Sequence, residues 1–92
     1  MRLTKKQSEL TTVASIQAEL LATIESLLPQ VVNEADVRDE LQYLRDLLDA
    51  LPLNSEVYGA AVNHSRNVHR YLSNNELGAA RYELKLLAGR VR

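Results

Sequence analysis

Residues 10–29 read "LTTVASIQAELLATIESLLP", and their apolar positions recur at intervals of three and four residues. This interval matches the 3.6-residue turn of an α-helix, so the repeat places one apolar stripe along one helix face. A half-buried strand would instead alternate every second residue. The stripe contains Leu10, Val13, Leu20, Ile24 and Leu27, with the polar Gln17 among them. The stretch therefore predicts a long amphipathic helix that turns this stripe toward a core.

Local signals predict the ends of this first helix. Thr4 and Gln7 have the spacing of a capping box, in which each side chain bonds the backbone amide of the other. Pro29 has no amide hydrogen and disfavours a helical residue before it. We therefore predict a helix over residues 4–28. Gln17 within it either bonds across the core and fixes the helix register, or lies at a wet end of the bundle.

Three more segments carry the same periodicity and are separated by short polar connections. Residues of the type that accept backbone amide hydrogens precede each one. The predicted N-caps are Asn33, Asn54 and Ser73, and Ser73 forms a second capping box with Glu76. The predicted helices cover residues 34–51, 55–72 and 74–91.

Composition supports a fold made only of helices. The chain has 17 leucines and 10 alanines against three glycines and two prolines, which favours helix throughout its 92 residues. Because the connections are short, neighbouring helices must run in opposite directions. We predict an all-α protein, a single domain over residues 1–92 that forms an antiparallel up-down four-helix bundle.

The absence of several residue patterns excludes function classes. The chain has no cysteine, which excludes disulfides, thiolate metal sites and cysteine nucleophiles. It has no nucleotide-binding glycine loop, no Glu-x-x-His pair for a di-iron bundle, and no serine or threonine with an evident histidine and acid. We expect no enzyme, no cofactor and no metal. No apolar stretch reaches the roughly 18 residues of a membrane span, and no signal peptide is evident, so we expect a cytoplasmic protein.

The net charge of −1 conceals an asymmetry between the two parts of the chain. Residues 1–56 carry five basic and ten acidic side chains, a net −5, whereas residues 57–92 carry six basic and two acidic ones, a net +4. Either the two parts fold onto each other and largely cancel, or the basic part faces an anionic partner.

Residues 63–71, "NHSRNVHRY", hold both histidines of the chain. His64 and His69 are five residues apart, so about 140° separates them around a helix, whereas one helix binds zinc through histidines three or four apart. We expect both at the margins of the apolar stripe, with no acid near them because Glu56 is the only carboxylate in this helix. Arg66 and Arg70 share the outer face, which is either a solvated face or a surface that recognises an anionic group.

The fourth helix carries a second apolar line opposite its core stripe. Either its neighbours wrap this helix or its exposed apolar residues have no role, or the line is a contact patch for a second copy or another protein. Tyrosine among arginines is a composition that protein interfaces favour. The line is Ala79, Tyr82 and Leu86, flanked by Arg81 and Lys85 on one side and by Glu83 and Arg90 on the other. The predicted partner-binding residues are Arg66, Arg70, Ala79, Arg81, Tyr82, Lys85, Leu86 and Arg90.

The layout of the chain resembles the bacteriocin immunity proteins of the enterocin A type. The shared features are the chain length, four amphipathic helices, and a polar third helix that ends in "VHRYLSNNEL" before a short last helix. The resemblance covers most of the chain and implies protection of the host cell from a secreted antimicrobial peptide. It implies binding to the sugar-transport receptor complex at the inner membrane face, mainly through the C-terminal half. The chain departs from the family in its three lysines and its net acidic charge.

These observations give three hypotheses of function. The first is a non-catalytic protein-interaction module, of which an immunity protein is one form. The second is nucleic-acid binding through the basic C-terminal half, which a net charge of −1 does not favour. The third is an oligomerising structural or phage-type protein that pairs through its fourth helix.

Overall fold

The structure is a computed structural model that describes residues 12–92. This part of the chain forms four amphipathic helices. They are α1 (Val13–Val32), α2 (Arg38–Ala50), α3 (Ser55–Ser73) and α4 (Leu77–Val91). Each helix packs against the helix before it and the helix after it, and α4 packs back onto α1. The most extensive interface joins α3 to α4, and among helices that follow each other in the chain the least extensive joins α2 to α3. The predicted all-α four-helix bundle is confirmed. No helix within the described residues is long and apolar enough to cross a bilayer.

The core forms where the four stripes meet. Burial of each large aliphatic side chain contributes about 1.5–3 kcal/mol before chain entropy is subtracted, so the set dominates the stability of the bundle. The largest fully buried side chains are Leu20, Ile24, Leu27, Val31, Leu41, Leu44, Leu48, Val68, Leu84 and Leu87.

The first helix continues through Pro29, so the prediction that it ends at residue 28 is wrong. Pro29 is exposed, and it removes only its own backbone hydrogen bond from the helix. One further half-turn brings Val31 into the core, where 1% of it is exposed. In the turn before the proline, the Gln30 side-chain amide donates to the Ser26 carbonyl over 2.9 Å. Burial of Val31 is the reason that the helix extends to Val32.

The start of α1 also differs from the prediction. Thr12 has an extended backbone, with φ −75° and ψ 160°, and its hydroxyl oxygen accepts the Ser15 amide hydrogen over 3.1 Å. Thr12 is therefore the N-cap of a helix that begins at Val13. The predicted capping box of Thr4 and Gln7 lies outside the described residues, as does Leu10.

The extension of α1 changes the role of Asn33. Asn33 is the C-cap of α1, and its backbone amide donates to the carbonyls of Pro29 and Gln30, so the prediction that it caps α2 is wrong. Glu34 follows in the left-handed region at φ 59°.

The Asp36 carboxylate accepts the Arg38 amide hydrogen and pairs with its guanidinium at 2.8 Å. These hydrogen bonds lower the pKa of Asp36 to about 2. The second helix then starts at Arg38 instead of residue 34.

The two remaining connections give one correct and one wrong N-cap. Asn54 accepts the Val57 amide hydrogen over 2.9 Å, as predicted. Ser73 is instead the last residue of α3, where its hydroxyl donates to the His69 carbonyl over 3.0 Å, so the second capping box is wrong.

Asn75 has φ 57°, and the N-cap of α4 is Glu76, whose side chain makes no capping bond. The second helix ends at Ala50 and the fourth at Val91, each within one residue of its predicted end.

Gln17 of α1 forms a hydrogen bond to the C-terminal end of α4. Its side-chain amide donates to the backbone carbonyl of Val91, at the C-terminus of α4, over 2.6 Å. This carbonyl belongs to the last turn of a helix, which leaves its oxygens without partners inside the helix. Gln17 is therefore at an end of the bundle, and it still bonds between helices.

We predict that Pro29→Ala stabilises the protein. Alanine restores the missing helical hydrogen bond and removes the ring from the turn, while it gives up some rigidity of the unfolded chain. The free energy of unfolding, measured by urea denaturation, is expected to rise by about 1–3 kcal/mol. Pro52→Ala is the control, because Pro52 lies between α2 and α3, outside any helix. There we expect a decrease of no more than about 1 kcal/mol. An unchanged or lower stability of Pro29→Ala would contradict the argument.

Candidate protein-binding surface

The outer face of α4 presents an exposed tyrosine. Tyr82 is 60% exposed, which makes it the most exposed large hydrophobic residue of the described chain. Ala79 and Leu86 on the same line are half-buried. Neighbouring helices therefore do not enclose Tyr82, and they cover the other two only in part. The second apolar line of α4 is a mixed surface centred on one aromatic ring.

Basic side chains lie on both helices of the α3–α4 pair. Lys85 and Arg90 are exposed and Arg81 is half-buried. On α3, Arg66 and Arg70 are exposed as predicted, and the Arg70 guanidinium lies over the Tyr71 ring at 5.1 Å from its centre. Such a cation–π contact contributes about 0.5–1 kcal/mol at an exposed position and holds the guanidinium in place. The structure thus places every predicted partner-binding residue on one half of the bundle, the α3–α4 half.

Within residues 12–92, direct ion pairs do not connect the acidic half of the bundle to the basic half. Residues 12–54 hold eight acidic and two basic side chains, a net −6, and residues 55–92 hold six basic and three acidic ones, a net +3. Over this same stretch, the salt bridges are Asp36–Arg38, Arg45–Asp49 and His64–Glu83. Each joins partners of the same half. The α3–α4 surface therefore keeps its positive charges available to another molecule.

A polar cluster under this surface joins α3 to α4. His64 Nδ1 lies 2.9 Å from Glu83 Oε1, and the Asn67 side-chain amide donates to the same oxygen over 2.9 Å. Glu83 is buried, with 9% of the residue exposed. The prediction that no acid lies near His64 is wrong, because the acid comes from the next helix. The prediction that Glu83 flanks the outer line of α4 is also wrong, because Glu83 lies in the seam between the helices.

The environment of Glu83 keeps it ionised. Burial raises the pKa of the Glu83 carboxyl. The hydrogen bonds from His64 and Asn67, together with the charges of His64 and Arg70, lower this pKa by a larger amount. The net pKa lies below the ordinary value of 4.5. An ionised carboxylate only accepts hydrogen bonds, so we assign the hydrogen of the shared bond to His64 Nδ1. Glu83 thus holds α3 and α4 together and places a negative charge near Arg70.

Two signals in the sequence point to this cluster. His64 and Asn67 are three residues apart and therefore share one helix face. Glu83 directly precedes Leu84 and is four residues before Leu87, so it borders the core stripe of α4. The sequence does not show which helix faces which, and this pairing depends on the packing of α3 against α4.

His69 is exposed and lies at the other margin of α3, as predicted. It lines a cavity of about 410 Å³ at the end of the bundle where the α1–α2 and α3–α4 connections meet. Buried Val37 and Leu41 contribute to the cavity wall, and Arg38 lies at its rim. Within residues 12–92, no group of three or more His, Asp or Glu side chains is arranged to hold a metal ion.

We predict that Glu83→Gln weakens the bundle in a pH-dependent way. The folded-state pKa of Glu83 is below its unfolded value, so its stabilisation is complete above about pH 5 and is lost as the pH falls through the folded-state pKa. Near pH 6 the variant should unfold with about 1–2 kcal/mol less free energy than the wild type. This difference should shrink as the pH falls through the folded-state pKa of Glu83.

Denaturant titrations at several pH values measure this difference. Glu34→Gln is the control, because it removes an equal charge from an exposed position. We expect its stability to follow the wild type. If the gap between Glu83→Gln and wild type stays constant from pH 6 to pH 3, the ionised form of Glu83 is not what stabilises the seam.

Comparison of the chain with family models, curated proteins and solved structures finds no match. The resemblance to immunity proteins of the enterocin A type therefore stays a prediction.

Proposed function

We propose that the protein is a non-catalytic interaction module that binds a protein partner through the outer surface of α3 and α4. The observation that carries the proposal is the exposure of Tyr82, 60% of which faces solvent, among basic side chains of α4. None of these cations pairs with a carboxylate within residues 12–92. We further propose, from the sequence, a cytoplasmic location.

The composition of this surface suits protein recognition. Tyrosine and arginine are enriched at interface positions that contribute most to affinity, because each offers a large contact area and a polar end. Positive charges without internal partners attract an acidic surface and raise the rate of association. Arg70 is already held over Tyr71, so less of its freedom is lost on binding.

The resemblance to immunity proteins supports one specific form of this proposal. In that form the partner is a membrane receptor complex for sugar transport, bound from the inner face. Expression of the chain in cells sensitive to an enterocin-A-type bacteriocin measures this directly as survival. Survival equal to that of cells without the chain would reject the immunity role and leave the general proposal in place.

The basic half also favours a second candidate function, nucleic-acid binding. Phosphate contacts from Arg66, Arg70 and the α4 cations would give an affinity that falls steeply with salt. A gel-shift titration with duplex DNA and with RNA at two salt concentrations separates the two functions. If neither the duplex DNA nor the RNA shifts at low salt, the hypothesis of nucleic-acid binding is rejected.

Site-specific photo-crosslinking tests the proposed function. A benzoylphenylalanine in place of Tyr82, in cells that naturally make the protein, is expected to form a covalent adduct with the partner. The same photo-crosslinker in place of Gln42, an exposed residue of α2, is the control. We expect the adduct from position 82 and not from position 42. The absence of an adduct, or the same adduct from both positions, would contradict the proposal, as would an adduct that nuclease removes.

A second copy of the chain is one protein partner that this surface could take. Sedimentation of the wild type and of Leu86→Asp tests it, because a charge at this half-buried position should separate copies paired through α4. Dimers in the wild type and monomers in Leu86→Asp would identify the second copy as the partner. Monomers in both would exclude pairing through α4.

A further inference from the structure

A groove runs between α1 and α4. Its volume is about 370 Å³, and its lining combines apolar residues of both helices with charged residues at the rim. The apolar lining residues are Leu21, Ile24, Leu28, Ala88 and Gly89. Leu21 and Leu28 are two turns apart, so the groove extends for roughly 10 Å along α1. This volume is at the lower end of the range of small-molecule pockets and suits a few aliphatic side chains of a partner.

The charges at the rim of the groove are arranged with one sign on each side. Lys85 and Arg92 lie on the α4 side and are exposed, whereas Glu25 lies on the α1 side. No salt bridge joins Glu25 to either cation across the groove. An occupant that carries carboxylates along one flank therefore finds cations on α4 that have no salt-bridge partner within residues 12–92.

Gly89 forms part of the α4 wall of the groove, and, like Gly59 and Gly78, it is not required by packing within residues 12–92. A Cβ atom at this position would meet no atom within 4 Å, so packing in residues 12–92 does not require glycine there. Glycine in a helix interior is less favourable than alanine because the unfolded chain gains more freedom. The missing side chain keeps the wall low, which allows the backbone of an approaching helix to come close.

We propose that this groove receives an amphipathic helix of an acidic partner protein. The apolar stripe of that helix would lie on Leu21, Leu28 and Gly89, and its carboxylates would pair with Lys85 and Arg92. The inference rests on the proposed function and deepens it, because it names the chemistry of the partner and where its side chains bind. Lys85, which lines the groove, is three residues from Tyr82 and therefore its neighbour on the surface of α4.

Charge decides between this occupant and a basic or neutral helix. Residues 12–54 carry a net charge of −6 and residues 55–92 a net +3, but the lining of the groove itself holds two cations, Lys85 and Arg92, against the single carboxylate of Glu25, so a cationic helix would be repelled on the α4 side. An acidic helix would be attracted there, and its apolar stripe would cover the lining of both helices. A purely apolar helix would leave Lys85 and Arg92 covered without partners, which costs binding free energy.

A synthetic peptide tests the proposal without knowledge of the natural partner. The probe is a fluorescent peptide of about four helical turns, with leucines at every third and fourth position and glutamates beside them. Fluorescence anisotropy with the full chain is expected to show binding that weakens with salt. A peptide of the same composition with scrambled order, and one with lysine in place of glutamate, should bind at least about tenfold more weakly.

Matched variants locate the peptide. Lys85→Gln and Gln42→Glu each lower the net charge by the same amount, but only Lys85 lines the groove. We expect Lys85→Gln to raise the Kd by roughly threefold to tenfold and Gln42→Glu to leave it unchanged. Gly89→Ala should raise the thermal midpoint of the protein and also raise the Kd of the peptide, a combination that a purely structural glycine would not give.

The possible outcomes separate this inference from the proposed function. If the peptide fails to bind, or binds Lys85→Gln as tightly as the wild type, the groove proposal is overturned, while the crosslink at position 82 can still support the interaction module. Equal binding of the lysine peptide, preferential binding of a DNA duplex, or a dimer of the chain that excludes the peptide would overturn it as well.

Discussion

Burial of the apolar stripe of α1 is the interaction on which the rest of the structure depends. The first helix packs on both α2 and α4, and its buried residues lie at the centre of the bundle. This burial outweighs the local signal of Pro29, since the helix continues until Val31 is covered. The extra turn then determines the next connection, where Asn33 ends one helix and Asp36 and Arg38 organise the start of another. Burial of Val31 thus sets the positions of the C-cap Asn33, of the Asp36–Arg38 pair and of the start of α2.

Sequential packing explains why the charges are separated in space. Adjacent helices in the chain are adjacent in the bundle, so the carboxylates of α1 and α2 share one half and the cations of α3 and α4 share the other. The seam within the basic half is held by Glu83, an acid that His64 and Asn67 keep ionised below the surface. The surface above it is left with arginines, a lysine and Tyr82. The carboxylate that joins α3 to α4 is therefore distinct from the exposed cations that we propose bind a partner.

The sequence predicted most of the fold because the apolar periodicity is strong in every helix. The stripe of Leu84 and the part of the α1 stripe from Leu20 to Leu27 are buried as expected, and Asn54 caps α3, whereas Val13, predicted to face the core, is 53% exposed. The helix ends were less predictable for a physical reason. Asparagine and serine can accept hydrogen bonds at the start of a helix or cap its end, so Asn33 and Ser73 give the same local signal for either role. Only packing selects between them. The same limit applies to Glu83 and to the groove, since both depend on which helices meet.

Within residues 12–92 the charge separation produces an electric dipole that the net charge of −1 of the chain does not reveal. A field from an acidic macromolecule exerts a torque on such a dipole and turns α3 and α4 to the front before any contact forms. Collisions are thereby pre-oriented, which shortens the search for the bound arrangement. The torque acts over about one Debye length, so it operates within the last nanometre of approach at cellular ionic strength.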